Sequence, residues 1–277
     1  MKKIKSPEKK KKEGFFKQAK KQIRESKSTF IVYIILRILV IGSLVMSAIH
    51  GQYEHVFVCA LSLILFIMPA LLEKRLKIDL PSTLEIIILL FIFAAEILGE
   101  IHNFYMRVPH WDTMLHTLNG FLFAAVGFSL LDMINRDSHF KFQLSPVYLA
   151  IVAFCFSMTI GVIWEFFEFA CDTFLRTDMQ KDFVVITISS VKLDPLNSNT
   201  PVVINSITDA SINGQSLKLG GYLDIGLIDT MKDLLVNFIG AFVFSIIGYF
   251  YAKGRGKGKF VKRFIPTIEI TEIEKDM

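Results

Sequence analysis

Six runs of mostly apolar residues, each close to the length needed to cross a bilayer, limit what this chain can fold into. They extend from about Thr29 to Ile49, Val56 to Leu72, Leu84 to Ile101, Asp112 to Ile134, Val147 to Phe169 and Thr230 to Ala252. A helix rises about 1.5 Å per residue, so roughly 20 apolar residues span the hydrocarbon core. Backbone N–H and C=O groups in lipid must bond internally, which leaves only helices or closed barrels. Runs this long, with no period-two alternation, exclude barrel strands. The 277 residues are 52% hydrophobic, with a mean hydropathy of +0.48. That is more apolar surface than a soluble domain of this size can bury. The expected fold is an all-α polytopic membrane protein of about six transmembrane helices.

Ahead of the first run, residues 1–28 (MKKIKSPEKKKKEGFFKQAKKQIRESKS) have a different character. The charged stretch is longer than that of a cleavable signal peptide, and no small-residue cleavage site follows the apolar run. It reads as a retained cytoplasmic basic tail. Its lysines are drawn to anionic headgroups, and GFFKQAKKQIRES has the pattern of a short amphipathic surface helix; a solvated topology determinant is an equal reading. The net charge of +5 reflects this tail. No groove-reading motif accompanies it, so no nucleic-acid partner is expected. Cys59, Cys155 and Cys171 fall in or beside apolar helices at no metal-like spacing, and imply no disulfide framework.

Six spans place alternate loops on opposite sides, and the basic residues sort accordingly. The N-terminal tail, the loop with Lys74, Arg75 and Lys77, the loop with Arg136 and Lys141, and the tail from Lys253 to Arg263 fall on one side, the cytoplasmic one. The stretches His50 to His55, Asn103 to Trp111 and Asp172 to Asp229 are poorer in base and fall outside. The chain then divides into the cytoplasmic tail (1–28), five transmembrane helices (29–171), an extracytoplasmic insert (172–229), the sixth helix (230–252) and a cytoplasmic C-terminal tail (253–277). The setting is a bacterial cytoplasmic membrane, with both termini inside. The insert carries β-branched runs, Val184 to Val191 and Val202 to Ile207, with turn signals at Asp194-Pro195 and Asn213-Gly214. A small β-rich extracytoplasmic cap is expected, with a plain spacer loop as the alternative.

Ionisable side chains in a span cost a few kcal/mol each on insertion scales, so they ask for a reason. The third run ends with Glu96 and Glu100, followed by His102. The fourth begins with His110, Asp112, His116 and Asn119, the last three at i, i+4, i+7 on one face. The fifth ends with Glu165, Glu168 and Asp172, and the sixth begins with Asp229, Asp233 and Asn237. With spans three and five running outward and four and six inward, all four groups reach one depth, at the outer leaflet. So many carboxylates repel one another or pick up protons unless a cation or base balances them. His102, Arg107, His110, His116 and Lys232 are the protein's own candidates.

A divalent metal is the simpler balance, because Asp, Glu and His are its ordinary ligands and facing helices an ordinary place to hold it. The ligand candidates are Asp112, His116, Glu165, Glu168, Asp172, Asp229 and Asp233. Glu96, Glu100, His102 and His110 are the candidates for support or acid/base catalysis. Each also has a structural reading. Asp112 and Asp229 suit a first-turn cap. Asn237 with Gly240 and Ala241 suits close helix packing, and the small-residue runs Gly120 to Gly127 and Gly240 to Gly248 permit it. Trp111 and Trp164 suit interfacial anchoring. His50, His55 and His139 lie in loops and suit solvation.

The motifs WDTMLHTLNGF (Trp111 to Phe121), WEFFEFACD (Trp164 to Asp172), DMQKD (Asp178 to Asp182) and GLIDTMKDLLVNFIGA (Gly226 to Ala241) resemble the YjdF-like family of bacterial inner-membrane proteins. The order Asp-x3-His, Glu cluster and D-x3-N-x2-G (Asp233, Asn237, Gly240) more distantly resembles the VanZ-like proteins, linked to glycopeptide-antibiotic tolerance. The stretch from Asp182 to Gly226 is longer than the YjdF-like pattern, so cap and lysine tail lie outside the resemblance. It implies the membrane fold and the polar site and supplies no established activity.

Three functions stay open on chemistry. One is a metal-assisted hydrolase or transferase acting on lipid-linked or headgroup substrates at the outer face. Another is a proton- or cation-coupled transporter, for which the inner helix halves are poor, Arg37 and Asp132 excepted. The last is a non-catalytic scaffold in which the polar cluster only packs helices. Membrane lipids are partners in each.

Overall fold

The computed structural model describes residues 27–76, 78–136, 143–254, 258, 261–265 and 267–268. The lysine-rich tail with its amphipathic stretch, Lys77, His139, Lys141 and most of the C-terminal tail lie outside the described residues. Eight α-helices organise the described chain: α1 (Lys27–Ile49), α2 (Tyr53–Leu65), α3 (Met68–Leu76), α4 (Ser82–Ile92), α5 (Phe104–Arg107), α6 (Trp111–Arg136), α7 (Pro146–Ala170) and α8 (Leu227–Lys253). Five segments are long and apolar enough to cross a membrane: Lys27–Ile49, Tyr53–Arg75, Trp111–Asn135, Pro146–Leu175 and Leu227–Lys253. The protein is an all-α polytopic membrane protein. Exposed isoleucines along α1, Ile31, Ile35 and Ile38 among them, are ordinary for a face turned to lipid.

The expected third span differs from the other five. It runs as α4 and continues directly into nine residues of π-helix, Phe93–Ile101. Glu85, Glu96 and Glu100 lie along it, and it is not among the five segments above. The second span is also interrupted, by a turn at Phe66 and Ile67 between α2 and α3. Pro69 accounts for that break, because it donates no hydrogen bond and its ring crowds the carbonyl one turn earlier. Helix α7 starts cleanly: Pro146 occupies its first turn, and the Ser145 hydroxyl caps it by accepting the Tyr148 N–H at 3.2 Å.

Helices α6, α7 and α8 pack pairwise into one bundle, while α1, α2 and α4 gather around Leu36, Val40, Cys59, Phe66, Leu89 and Ile92. At the end of the bundle opposite Asp112 and Asp233, the chain beyond α8 folds back on itself. Phe264 and Ile265 join the buried cluster of Leu84, Leu122, Phe128, Phe244 and Tyr251. The Phe264 ring meets Phe121 edge-on with centroids 5.5 Å apart. Strand β1 (Ile78–Asp79) pairs antiparallel with β8 (Thr267–Ile268). This part of the C-terminal tail is therefore built into the bundle, where its two apolar side chains find buried partners.

The insert between α7 and α8 is made of short antiparallel pairs. Strand β2 (Val184–Val185) pairs with β7 (Tyr222–Leu223), β3 (Ile188–Ser190) with β4 (Val202–Ile204), and β5 (Ser211–Ile212) with β6 (Gln215–Ser216). The last is a two-residue hairpin around Asn213 and Gly214, whose φ angles of 54° and 80° are those a type I′ turn requires. Asp194 organises the 194–200 turn. Its carboxylate accepts the Ser198 hydroxyl at 2.8 Å and the N–H groups of Leu196 at 2.9 Å and Ser198 at 2.6 Å. The Ser198 hydroxyl first, then the backbone N–H groups, hold this carboxyl below the usual aspartate range.

A lowered folded value means the contribution is complete above the unfolded value of about 3.9 and fades as pH falls through the lowered one. Protection factors of the Leu196 and Ser198 amides should therefore be high at neutral pH and collapse as the pH falls through this lowered range. Asp194→Ala should remove them at neutral pH. Protection surviving acid would assign the turn to something other than this carboxylate.

Candidate functional site

The helix ends that carry the charged residues meet at one end of the bundle. His116, one turn into α6, is the hub: its Nε2 lies 3.4 Å from Asp112 Oδ1 and 3.8 Å from Asp233 Oδ2, and its Nδ1 lies 3.9 Å from Glu165 Oε1. Asp112 and His116 share a face of α6 because they are four residues apart. Glu165 comes from the end of α7 and Asp233 from the second turn of α8. The Asp112 and Asp233 carboxylates are within hydrogen-bonding reach of each other. Glu165 and Asp233 are buried, at 4% and 3% exposure. Thr230 and Gln180 approach Glu165, yet its Oε2 is buried with no hydrogen-bond partner. Glu96 Oε2 is buried and unpartnered as well. An unmet buried carboxylate oxygen carries a desolvation cost that ordinary packing does not repay.

One ligand atom from each of Asp112, His116 and Asp233 lies within 4.8 Å of the others. Ligands about 2.0–2.2 Å from a common ion stand roughly 3–3.5 Å apart. The separations around Nε2 are close to that, so a small inward movement would complete a cation's ligand set. With Nε2 facing Asp112 and Asp233, Nδ1 is turned towards Glu165 on the other side of the ring.

Four other carboxylates have protein partners. Glu168 accepts the Trp164 indole N–H at 2.8 Å. Asp172 accepts the Thr177 hydroxyl at 2.7 Å and the N–H groups of Met179 at 2.7 Å and Gln180 at 2.9 Å, which fixes the chain as it leaves α7. Asp229 accepts the Lys181 N–H at 2.7 Å. Glu100 pairs with the Lys181 ammonium at 3.5 Å. His102 and His110 are exposed, on the turns flanking α5.

Two features were not anticipated. The first is Lys181, which ties α8 to the third segment through Asp229 and Glu100, with Gln180 donating to the Thr230 hydroxyl beside it at 2.6 Å. Only its place in the DMQKD motif hinted at this. The second is π-helical backbone at the ends of the third segment and of α7, Phe93–Ile101 and Cys171–Leu175. Single π turns cluster at functional sites because they re-aim side chains. At Gly99 a β-carbon would lie 2.7 Å from Tyr105 Cζ, so the glycine lets that ring lie against the widened helix. Burial first, then the nearby Glu96 and Glu100, push the Tyr105 phenol well above its usual range, so the hydroxyl stays a donor among acceptors.

Trp111 and Trp164 do more than anchor: each donates its indole N–H, Trp111 to the Ala94 carbonyl at 3.3 Å and Trp164 to Glu168.

Residues 32–254, which include every one of these side chains, match the family model described as "Predicted membrane protein (DUF2238)". The chain belongs to the DUF2238 family. The YjdF-like resemblance read from the motifs is to this same family. A relative from Thermotoga maritima, named "Uncharacterized protein", is 25% identical over 107 residues, or 39% of this chain. That stretch spans 53%, about half, of the relative's own length. No solved structure matches the chain.

Proposed function

We propose that this DUF2238 protein is a metal-assisted hydrolase or transferase acting on lipid-linked or headgroup substrates at the outer face of a bacterial cytoplasmic membrane. The observation that carries the reading is the hub at His116: one imidazole faced by carboxylates from three helices, one of them with a buried oxygen left unmet. A divalent cation held by Asp112, His116 and Asp233 would polarise a phosphoryl or ester oxygen and make bound water a nucleophile near neutral pH. Glu165 would orient His116. Glu96 and Glu100 would serve as acid/base groups, and Lys181 would hold the approach from the insert in place. Basic residues on alternate loops favour an outward-facing site.

The opposite end of the bundle argues against transport as the main activity. There Phe264 and Ile265 fill the space between α4, α6 and α8, whereas a conduit needs polar lining to the cytoplasm.

The test is elemental analysis of the purified protein, followed by incubation with phospholipids and polyprenyl phosphates in vesicles with divalent metals. Near-stoichiometric metal and headgroup or phosphate release are expected. The Asp112→Ala, Glu165→Ala double variant should be slower by about a hundredfold or more. Undiminished turnover in that variant would end the reading.

A further inference from the structure

The insert between α7 and α8 does more than connect them. Asp172 takes the N–H groups of Met179 and Gln180, and Asp229 takes that of Lys181, so the backbone of 179–181 is pinned to the facing ends of both helices. Gly226 lets it lie close: its φ is 77°, and a β-carbon there would stand 2.8 Å from Gln180 Cβ. Seated in this way, Gln180 donates from Nε2 to the Thr230 hydroxyl at 2.6 Å. A hydroxyl that accepts one hydrogen bond still has its own proton to give. Both Thr230 and Gln180 approach the Glu165 carboxylate, whose Oε1 lies 3.9 Å from His116 Nδ1. The chain therefore has a direction, from the Gln180 amide through the Thr230 hydroxyl to Glu165 and on to the imidazole.

Glu165 is buried and its Oε2 has no partner, so its place beside the ring depends on the donors that reach it. We propose that Thr230 and Gln180 are positioning residues for the cation site: they hold Glu165 at His116, and through it the insert sets how tightly Asp112, His116 and Asp233 bind a divalent ion. This rests on the proposed function for the ion itself and adds what controls its binding. Neither residue touches the ion; each acts through Glu165. Groups at this remove from a metal change its affinity by roughly ten- to a hundredfold, because they fix the side chains that ligate it. Such coupling is reciprocal, so an ion that binds better when Gln180 is seated must itself hold Gln180 in its seat.

The experiment titrates the purified full chain, stripped with chelator, with zinc and with manganese in a calorimeter. Thr230→Val keeps the shape of the side chain and removes the hydroxyl, and should bind about tenfold more weakly or worse than the wild type. Gln180→Ala should do the same, and Thr230→Ser should return the affinity. Melting in chelator should be similar for all four proteins; if Thr230→Val folds poorly, Gln180→Ala and Thr230→Ser carry the comparison. Hydrogen exchange reads the reciprocal effect: saturating ion should slow the Met179 to Lys181 amides several-fold in the wild type and leave them unchanged in Gln180→Ala. A bond that only ties the insert to α8 behaves differently, because its loss lowers the melting point and leaves the affinity alone. Variants that bind either ion as the wild type does would overturn the positioning role and leave the cation site standing. A wild type that binds neither ion would remove the cation site, and this proposal with it.

Discussion

Gly240→Val should leave little folded protein, and Gly120→Val the same, although neither touches the charged cluster. A β-carbon at Gly240 would collide with the Thr117 carbonyl oxygen and lie 2.9 Å from the Phe121 nitrogen. One at Gly120 would collide with the Asn237 carbonyl oxygen and lie 3.0 Å from the Ala241 nitrogen. The two glycines are reciprocal: at each, the obstacle is the backbone of the other helix, which cannot rotate away as a side chain can.

Between them the buried Asn119 amide donates to Asn237 Oδ1 at 3.1 Å, and Ser157 of α7 donates to the Gly120 carbonyl at 2.7 Å. Separating α6 from α8 to admit a side chain breaks these bonds as well. Small residues at helix interfaces work in this way, because lipid gives no hydrophobic drive to hold helices together. Overpacking and the lost bonds together suggest a loss of about 3 kcal/mol or more. That is roughly a 10 °C fall in Tm for a protein of this size.

Gly42→Val in α1 is the control, since a β-carbon there has nothing within 4 Å. Melting followed in detergent would decide it. A Gly240→Val protein that melts with the wild type would mean the two backbones do not touch.

The sequence carried the spans because the run of apolar residues is itself the physical requirement. The boundaries from Thr29 to Ile49 and Val147 to Phe169 differ from the helices Lys27–Ile49 and Pro146–Ala170 by a residue or two. Composition does not show how backbone departs from α geometry. The π turns at Phe93–Ile101 and Cys171–Leu175 depend on what packs beside them, Tyr105 against Gly99 in the first case. The β character of the insert was visible in its branched runs, but Val184 to Val191 became two strands with different partners. The first pairs with Tyr222–Leu223 and the second with Val202–Ile204, and local pattern does not carry such distant pairing.

The charged residues were legible as a group through depth alone. Which of them meet was not, because helix rotation decides it. Asp112, His116, Glu165 and Asp233 turn towards one another, while Asp172 turns to its own loop and Glu100 to Lys181. The buried end of the C-terminal tail was hidden for a related reason. Phe264 and Ile265 are two apolar residues in a basic stretch, and only the space left between α4, α6 and α8 gives them a place.

Asp233→Asn should invert its stability relative to the wild type when a divalent cation is added. In chelator, the Asp233 and Asp112 carboxylates face each other within hydrogen-bonding reach, with Glu165 on the other side of His116. Like charges at that separation destabilise the folded state, or force protons to be shared between them. The amide removes one charge and gives Asp112 a donor, so the variant should melt above the wild type.

With a cation at a hundred times its Kd, the wild type gains about 2.7 kcal/mol, because the ion binds only the folded site. The variant has lost one of its three ligands and should gain far less. An imidazole among two carboxylates favours zinc or manganese over calcium, so the series should run through all three ions and magnesium. A purely structural cluster behaves differently. There the variant is destabilised or neutral under both conditions, and no ion moves the wild type. Melting curves of the two proteins, with and without chelator, therefore separate a cation site from helix packing without a substrate, and a wild-type midpoint unmoved by all four ions would remove the metal from the proposed chemistry.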